Sequence, residues 1–218
     1  MAINFAVDEG EVARIATINI TGNRVFDEKQ LLELFSLRTP GWLTWYTKND
    51  QYSRQKLQGD IETMRSFYLN SGYADFAVES TQVSITPDKR EIYITVNVVE
   101  GEKYTVTGVT LAGDTLVPKS ELEKLITIRS GEPFSRERVN ETVKKISDRL
   151  GNEGYAFANA NAVPEIDREK RTVAFSIFVD PGRRVYVRRI NIAGNTKTRD
   201  EVIRREMRQL EGAFYDAG

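Results

Sequence analysis

Apolar residues recur along this chain with two periods. Leu57, Ile61, Met64 and Tyr68 fall at i, i+4, i+7 and i+11, and Val139, Val143, Ile146 and Leu150 repeat those offsets. That spacing places four apolar side chains on one face of a helix. Ile92, Ile94, Val96 and Val98 alternate with polar neighbours, as do Val173, Phe175, Ile177 and Val179. A period of two predicts a strand with one buried face. Shorter versions of both patterns fill the gaps. Leu31, Leu34 and Phe35 form an i, i+3, i+4 face. Leu122, Leu125 and Ile126 repeat it, and Ile203 and Met207 keep two of its positions while Glu206 breaks the third. Ile15, Ile18 and Ile20, then Val106, Val109 and Leu111, then Val187, Ile190 and Ile192 predict a short strand before each of these helices.

Punctuation residues keep the same register. Gly22, Gly113 and Gly194 lie 91 and 81 residues apart, and Gly10, Gly101 and Gly182 repeat both intervals. Tyr52-Ser-Arg54 matches Phe134-Ser-Arg136, and Gly72-Tyr73 matches Gly154-Tyr155, each 82 apart. Asp27, Ser53, Ser120 or Lys119, Ser135 and Thr198 are the expected helix starts. Gly72 and Gly154 are the expected left-handed stops. Pro87-Asp-Lys89 and the stretch Asp167 to Lys170 read as hairpin turns. Gly72 to Ile85 spans one residue more than Gly154 to Ile166, which predicts a β-bulge in the first copy.

The repeating unit is therefore β-α-α-β-β, about 80 residues long, in an α+β chain. Two helices should pack on a three-stranded mixed sheet. Residues 1–10 are expected to be the last strand of a preceding unit, because Ile3, Phe5 and Val7 align with Ile94, Val96 and Val98. Residues 11–101 and 102–181 are expected to be complete units. Residues 182–218 are expected to hold only a first strand and first helix. The strand Val185–Ala193 would then lack its neighbour and is expected to pair with a sheet edge of another copy.

Composition narrows the chemistry. The 218 residues are 40% hydrophobic and 29% charged, with a net charge of −1 and neither Cys nor His. This excludes thiol and imidazole catalysis and Cys/His metal sites. The charge balance argues against a broad nucleic-acid footprint. No convergent carboxylates or phosphate-binding glycine motifs are evident, so neither enzyme activity nor a cofactor is expected.

A tandem β-α-α-β-β unit with strand–Gly-Asn at its start and Gly-Tyr after its second helix resembles the POTRA (polypeptide-transport-associated) family. Residues 52–60, 80–89 and 202–212 are most similar to the branch that assembles β-barrels in the Gram-negative outer membrane. The resemblance implies third, fourth and beginning fifth POTRA domains on the periplasmic side of that membrane. It implies unfolded outer-membrane β-barrel proteins as clients, with accessory lipoproteins of the assembly machinery and periplasmic chaperones as further partners. It also carries a lipoprotein-docking role to Arg204 and Glu211. A POTRA array from another transport system, such as two-partner secretion, keeps the fold but changes the partner. A KH-like nucleic-acid module shares the element order but would need a GXXG loop, which is absent between these helices.

Candidate contact residues follow from sheet edges. Strands 74–85 and 156–163 are expected to be edges that accept a client strand, with Val78, Val83 and Ile85 on the first and Ala158, Ala160 and Ala162 on the second. A solvated edge without a partner is the competing reading. An aromatic insertion between the helices of the first unit carries Trp42, Trp45 and Tyr46. These rings either lie back on their own helices or form a contact surface.

Overall fold

The computed structural model describes residues 13–39 and 50–214. The expected strand at residues 1–10 and the ring cluster Trp42, Trp45 and Tyr46 lie outside the described residues. The chain divides into two compact units, Met1–Lys103 and Tyr104–Gly218.

In the first unit, β1 (Arg14–Thr21) leads to α1 (Glu28–Glu33) and α2 (Arg54–Asn70). The hairpin β2 (Ala77–Ile85) and β3 (Glu91–Val99) follows. The sheet order is β1-β3-β2, with β1 parallel and β2 antiparallel to the central β3. Among the described residues, two helices between β1 and the hairpin provide the crossover that parallel pairing requires. The inner face of β3 buries Ile92, Ile94, Val96 and Val98 against Leu57, Met64 and Tyr68 of α2. The three-residue step from Ile15 to Ile18 has a structural cause. The β1–β3 register shifts between Ile15 and Thr17, so Ala16 is an extra residue and both isoleucines still face the core.

The second unit repeats this with β4 (Thr105–Gly113), α3 (Lys119–Glu123), α4 (Arg136–Gly151), β5 (Asn159–Asp167) and β6 (Thr172–Asp180), in the order β4-β6-β5. Its first strand carries the same irregularity, between Val106 and Gly108. A third helix, α5 (Asp200–Glu206), follows.

Ser53 and Ser135 cap α2 and α4, each hydroxyl accepting a backbone N–H at 3.4 Å. Gly72 and Gly154 take positive φ just past the two helices. The extra residue of the first copy is Glu79, at a register shift between Val78 and Ser80 that β5 lacks. Of the two expected starts of α3, Lys119 is its first residue, with Pro118 at the N-cap and Ser120 inside the helix. Three expectations are corrected. Arg199 rather than Thr198 precedes α5, because the Asn195 amide binds the Thr198 carbonyl in the preceding turn. β2 and β5 begin later than residues 74 and 156, because 73–76 and 155–158 form turns, closed by Phe76 N–H on the Tyr73 carbonyl and Ala158 N–H on that of Tyr155. Residues 185–193 form no strand. Among the described residues they have no central strand beside them, and Val187 instead exchanges backbone bonds with Ala213 and Gly212.

One tether recurs with different chemistry. After α1, the N–H groups of Ser36 and Leu37 donate to the buried Asp60 carboxylate of α2 at 2.7 and 3.0 Å. In the second unit, Thr127 N–H donates to the buried Thr142 hydroxyl of α4 at 3.0 Å. In both, the second helix uses one inward polar side chain to satisfy the backbone released where the first helix ends.

Candidate functional site

Among the described residues, β2 and β5 have no strand on their outer side, and which backbone groups they leave free can be derived. The N–H and C=O of one strand residue point to the same side, and successive residues alternate. In β6, the carbonyls of Val173, Phe175 and Val179 accept from Thr107, Thr110 and Asp114, all from β4 or its end. The odd-numbered residues of β6 thus face β4, and the even-numbered ones face β5. Ser176 and Phe178 pair with Val163 and Asn161. Those β5 residues are therefore bonded inward, while Ala160, Ala162, Pro164 and Ile166 turn their backbones outward. Pro164 fits this position because it has no N–H to give.

The first unit follows the same rule. A Cβ on Gly22 would collide with the Val98 carbonyl oxygen, so Val98 faces β1. The odd-numbered residues of β3 face β2. Asn97, Thr95 and Tyr93 pair with Ser80, Gln82 and Ser84. Thr81, Val83 and Ile85 are left with outward backbone groups, up to the bulge at Glu79.

Four sequence-derived candidates, Val83, Ile85, Ala160 and Ala162, therefore stand where free backbone groups are. Their side chains play different parts. Val83 and Ile85 are exposed, whereas Ala160 is buried and Ala162 packs on the core. Val78, opposite Val98, also turns its backbone outward, but it lies beyond the bulge and its side chain is half-buried on the core. Ala158 precedes β5, and its N–H is already used. The alternating alanines are inward-facing packing residues, and what they offer at the edge is backbone.

The outer faces of both sheets are tied across all three strands by polar side chains. Thr21, Asn97 and Ser80 form one such row, with Asn97 donating to Ser80 at 2.6 Å. Thr110, Ser176 and Glu165 form the other, at 3.2 and 3.1 Å. Phe157 and Phe178 are exposed rings near the β5 edge, and Tyr186 and Phe214 are exposed further along the second unit.

Arg204 and Glu211 are brought together. Arg204 binds Asp200 at 2.7 Å, Glu211 at 2.9 Å and the Ile190 carbonyl at 2.8 Å, while Glu211 accepts the Ile190 N–H at 2.9 Å. The backbone donor and the Arg204 guanidinium hold the Glu211 carboxyl below the usual carboxylate range. This clamp joins α5, the following turn and the stretch before the helix. Nearby, the Arg184 guanidinium lies 4.7 Å from the Phe214 ring centre and donates to the Glu153 carbonyl.

Sequence reasoning missed Glu100. It is buried and accepts from Arg24 and Val25 N–H and, at 2.8 Å, from the Tyr68 hydroxyl. Burial and this bond push the Tyr68 phenol well above its ordinary range. Its repeat equivalents are Pro181 for Glu100 and Leu150 for Tyr68. The paired change from polar to apolar was the available signal. No group of three or more acidic side chains that could hold a metal converges among the described residues. The arrangement is suited to backbone recognition.

The POTRA family model, described as a surface antigen variable number repeat, matches residues 13–101, 104–182 and 185–218. The chain belongs to the POTRA family. It is 40% identical over 215 residues to the outer membrane protein assembly factor BamA of Neisseria meningitidis serogroup B, covering 98% of this chain and 27% of that protein. The BamA of Buchnera aphidicola is 32% identical, covering 99% of this chain and 35% of that protein. The crystal structure of Haemophilus influenzae BamA POTRA3-5 superposes with a TM-score of 0.81 at 28% identity, covering 98% of this chain and 84% of that one. The chain spans about a third or less of the curated relatives it matches. No helix among the described residues is long and apolar enough to cross a membrane.

Proposed function

We propose that this chain is a section of the periplasmic scaffold of outer-membrane protein assembly, and that it holds unfolded β-barrel proteins by adding their strands to β2 and β5. The observation that carries this is the row of outward backbone donors and acceptors at Thr81, Val83 and Ile85 and at Ala160 and Ala162. Backbone pairing accepts many side-chain sequences, which suits a scaffold with many clients. Each edge is short, so single-site affinity is low and the tandem arrangement strengthens it. The same reading places the protein on the periplasmic side of the Gram-negative outer membrane. It gives the Arg204–Glu211 clamp the role of shaping a surface for accessory lipoproteins, with periplasmic chaperones as upstream donors of clients. Titration of the chain with a barrel-derived strand peptide, followed by amide NMR, tests it. Shifts should concentrate along β2 and β5. Unchanged spectra at millimolar peptide refute it.

A further inference from the structure

Both edges carry a stop, and the two stops lie at opposite ends. In β2 the outward residues Thr81, Val83 and Ile85 run uninterrupted to the C-terminal end of the strand, and the bulge at Glu79 breaks the row on its N-terminal side. In β5 the outward row begins with Ala160 and Ala162 and is broken at Pro164, before Ile166. Proline cannot donate, and its ring occupies the space where an added strand would place a carbonyl.

We propose that Pro164 is a register stop: the second unit accepts an added strand only along Asn159–Val163, through Ala160 and Ala162, whereas the first accepts one along Thr81–Ile85. This rests on the reading of β2 and β5 as strand-accepting edges and specifies where on each edge the strand lies. Two consequences follow from counting outward residues. The first unit holds its guest through three residues and the second through two, so the second binds more weakly. A guest on β5 is held at the N-terminal half of the strand, beside exposed Phe157 and the Phe178 ring opposite Asn161. A guest on β2 is held at the C-terminal half, beside the exposed side chains of Val83 and Ile85. The occupant is an extended peptide strand with alternating apolar residues. A longer guest must leave β5 at Pro164, which keeps an entire edge from being captured irreversibly.

The stop is tested in two ways with the whole chain. Amide hydrogen exchange of the free protein should find Ala160, Ala162 and Ile166 exchanging about a hundred-fold or more faster than Asn161, Val163 and Glu165. Equal protection of the two sets overturns the assignment without any ligand. NMR titration with a strand peptide of roughly ten residues should then give shifts at Ala160 and Ala162 that end at Val163. Pro164→Ala supplies the missing donor. Its footprint should extend to Ile166, with binding to the second unit about five-fold tighter, the gain expected of one added backbone bond. Ala162→Pro should abolish the shifts on β5 and leave those on β2. If the wild-type chain binds on β5 but Pro164→Ala leaves footprint and affinity unchanged, the stop is wrong and the edge reading stands. If the peptide perturbs neither edge of the wild-type chain, the edge reading itself falls and the stop with it.

Discussion

Replacing Glu100 should uncouple a loop from the core in the first unit alone. Glu100 is 7% exposed, and the Tyr68 side chain that donates to it is completely buried. Glu100→Ala leaves the Tyr68 hydroxyl without an acceptor inside an apolar cluster, where Phe76 stacks on the ring at 4.1 Å. An unsatisfied buried donor costs about 1–3 kcal/mol. The N–H groups of Arg24 and Val25 also lose their acceptor, but their residues are exposed, so water replaces most of it at about 1 kcal/mol in total. The sum is about 3 kcal/mol. Tyr68→Phe removes the donor and leaves Glu100 two backbone partners, at about 1.5 kcal/mol. In the double variant no hydroxyl is stranded, so the loss falls back to about 1 kcal/mol, that of the two loop N–H groups. The coupling between the two changes should then be about 3.5 kcal/mol. Urea denaturation of the whole chain, followed by the amide signals of Ile94 in the first unit and Ile177 in the second, separates the two. The Ile94 transition should move and the Ile177 transition should not. Strict additivity of the two substitutions, or a loss below about 1 kcal/mol for Glu100→Ala, refutes the reasoning.

Three further predictions use the repeat as its own control. Asp60→Ala should cost the first unit about 2–3 kcal/mol in urea denaturation, because the N–H groups of Ser36 and Leu37 both lose their acceptor. Asp60→Thr, which imports the second unit's arrangement, should recover about half of that loss. Gly59→Ala, inside α2 with nothing near the added carbon, should stabilise by about 0.5–1 kcal/mol in thermal melts. Gly22→Ala, at φ +90° against the Val98 carbonyl, should cost more than about 2 kcal/mol. Finally, the Tyr68 phenol is raised above its ordinary value of 10.0, first by burial and then by its bond to Glu100. The folded state holds its proton more tightly than the unfolded state, so its contribution is complete below pH 10.0 and drains as pH rises towards the folded value. Above about pH 10 the stability of the first unit should fall as pH rises, and Tyr68→Phe should make that fall shallower, leaving the share of Tyr73 and Tyr93, whose phenols are also raised.

Much of the architecture was legible because it is written twice. The alternation of Ile92 to Val98 and of Val173 to Val179 identified the central strands, and the helical spacing from Leu57 and Val139 identified the main helices. These patterns survive because each such side chain meets a continuous core. Boundaries were less legible. Tyr73 and Phe76 look strand-like, yet they belong to a turn that packs aromatic rings on Tyr68. Thr198 looks like a cap, yet its carbonyl is bound by Asn195 one turn too early. The stretch from 185 to 193 has strand composition, but a strand needs a neighbour, and composition does not supply one.

The sequence by itself determined the POTRA-type repeat, the order of its elements and the presence of one extra residue in β2. Periodicity and turn chemistry are local, and two copies in one chain check each other. Only the tertiary structure decided which backbone groups are free. Alternation of N–H and C=O is invisible in residue types until the register against β3 and β6 is known, and that register depends on how the core faces meet. It turned the alanines of β5 from contact side chains into packing residues with available backbones. It also gave meaning to Pro164, which in sequence is one of six prolines and in the sheet is an outward-facing position of the β5 edge that has no donor.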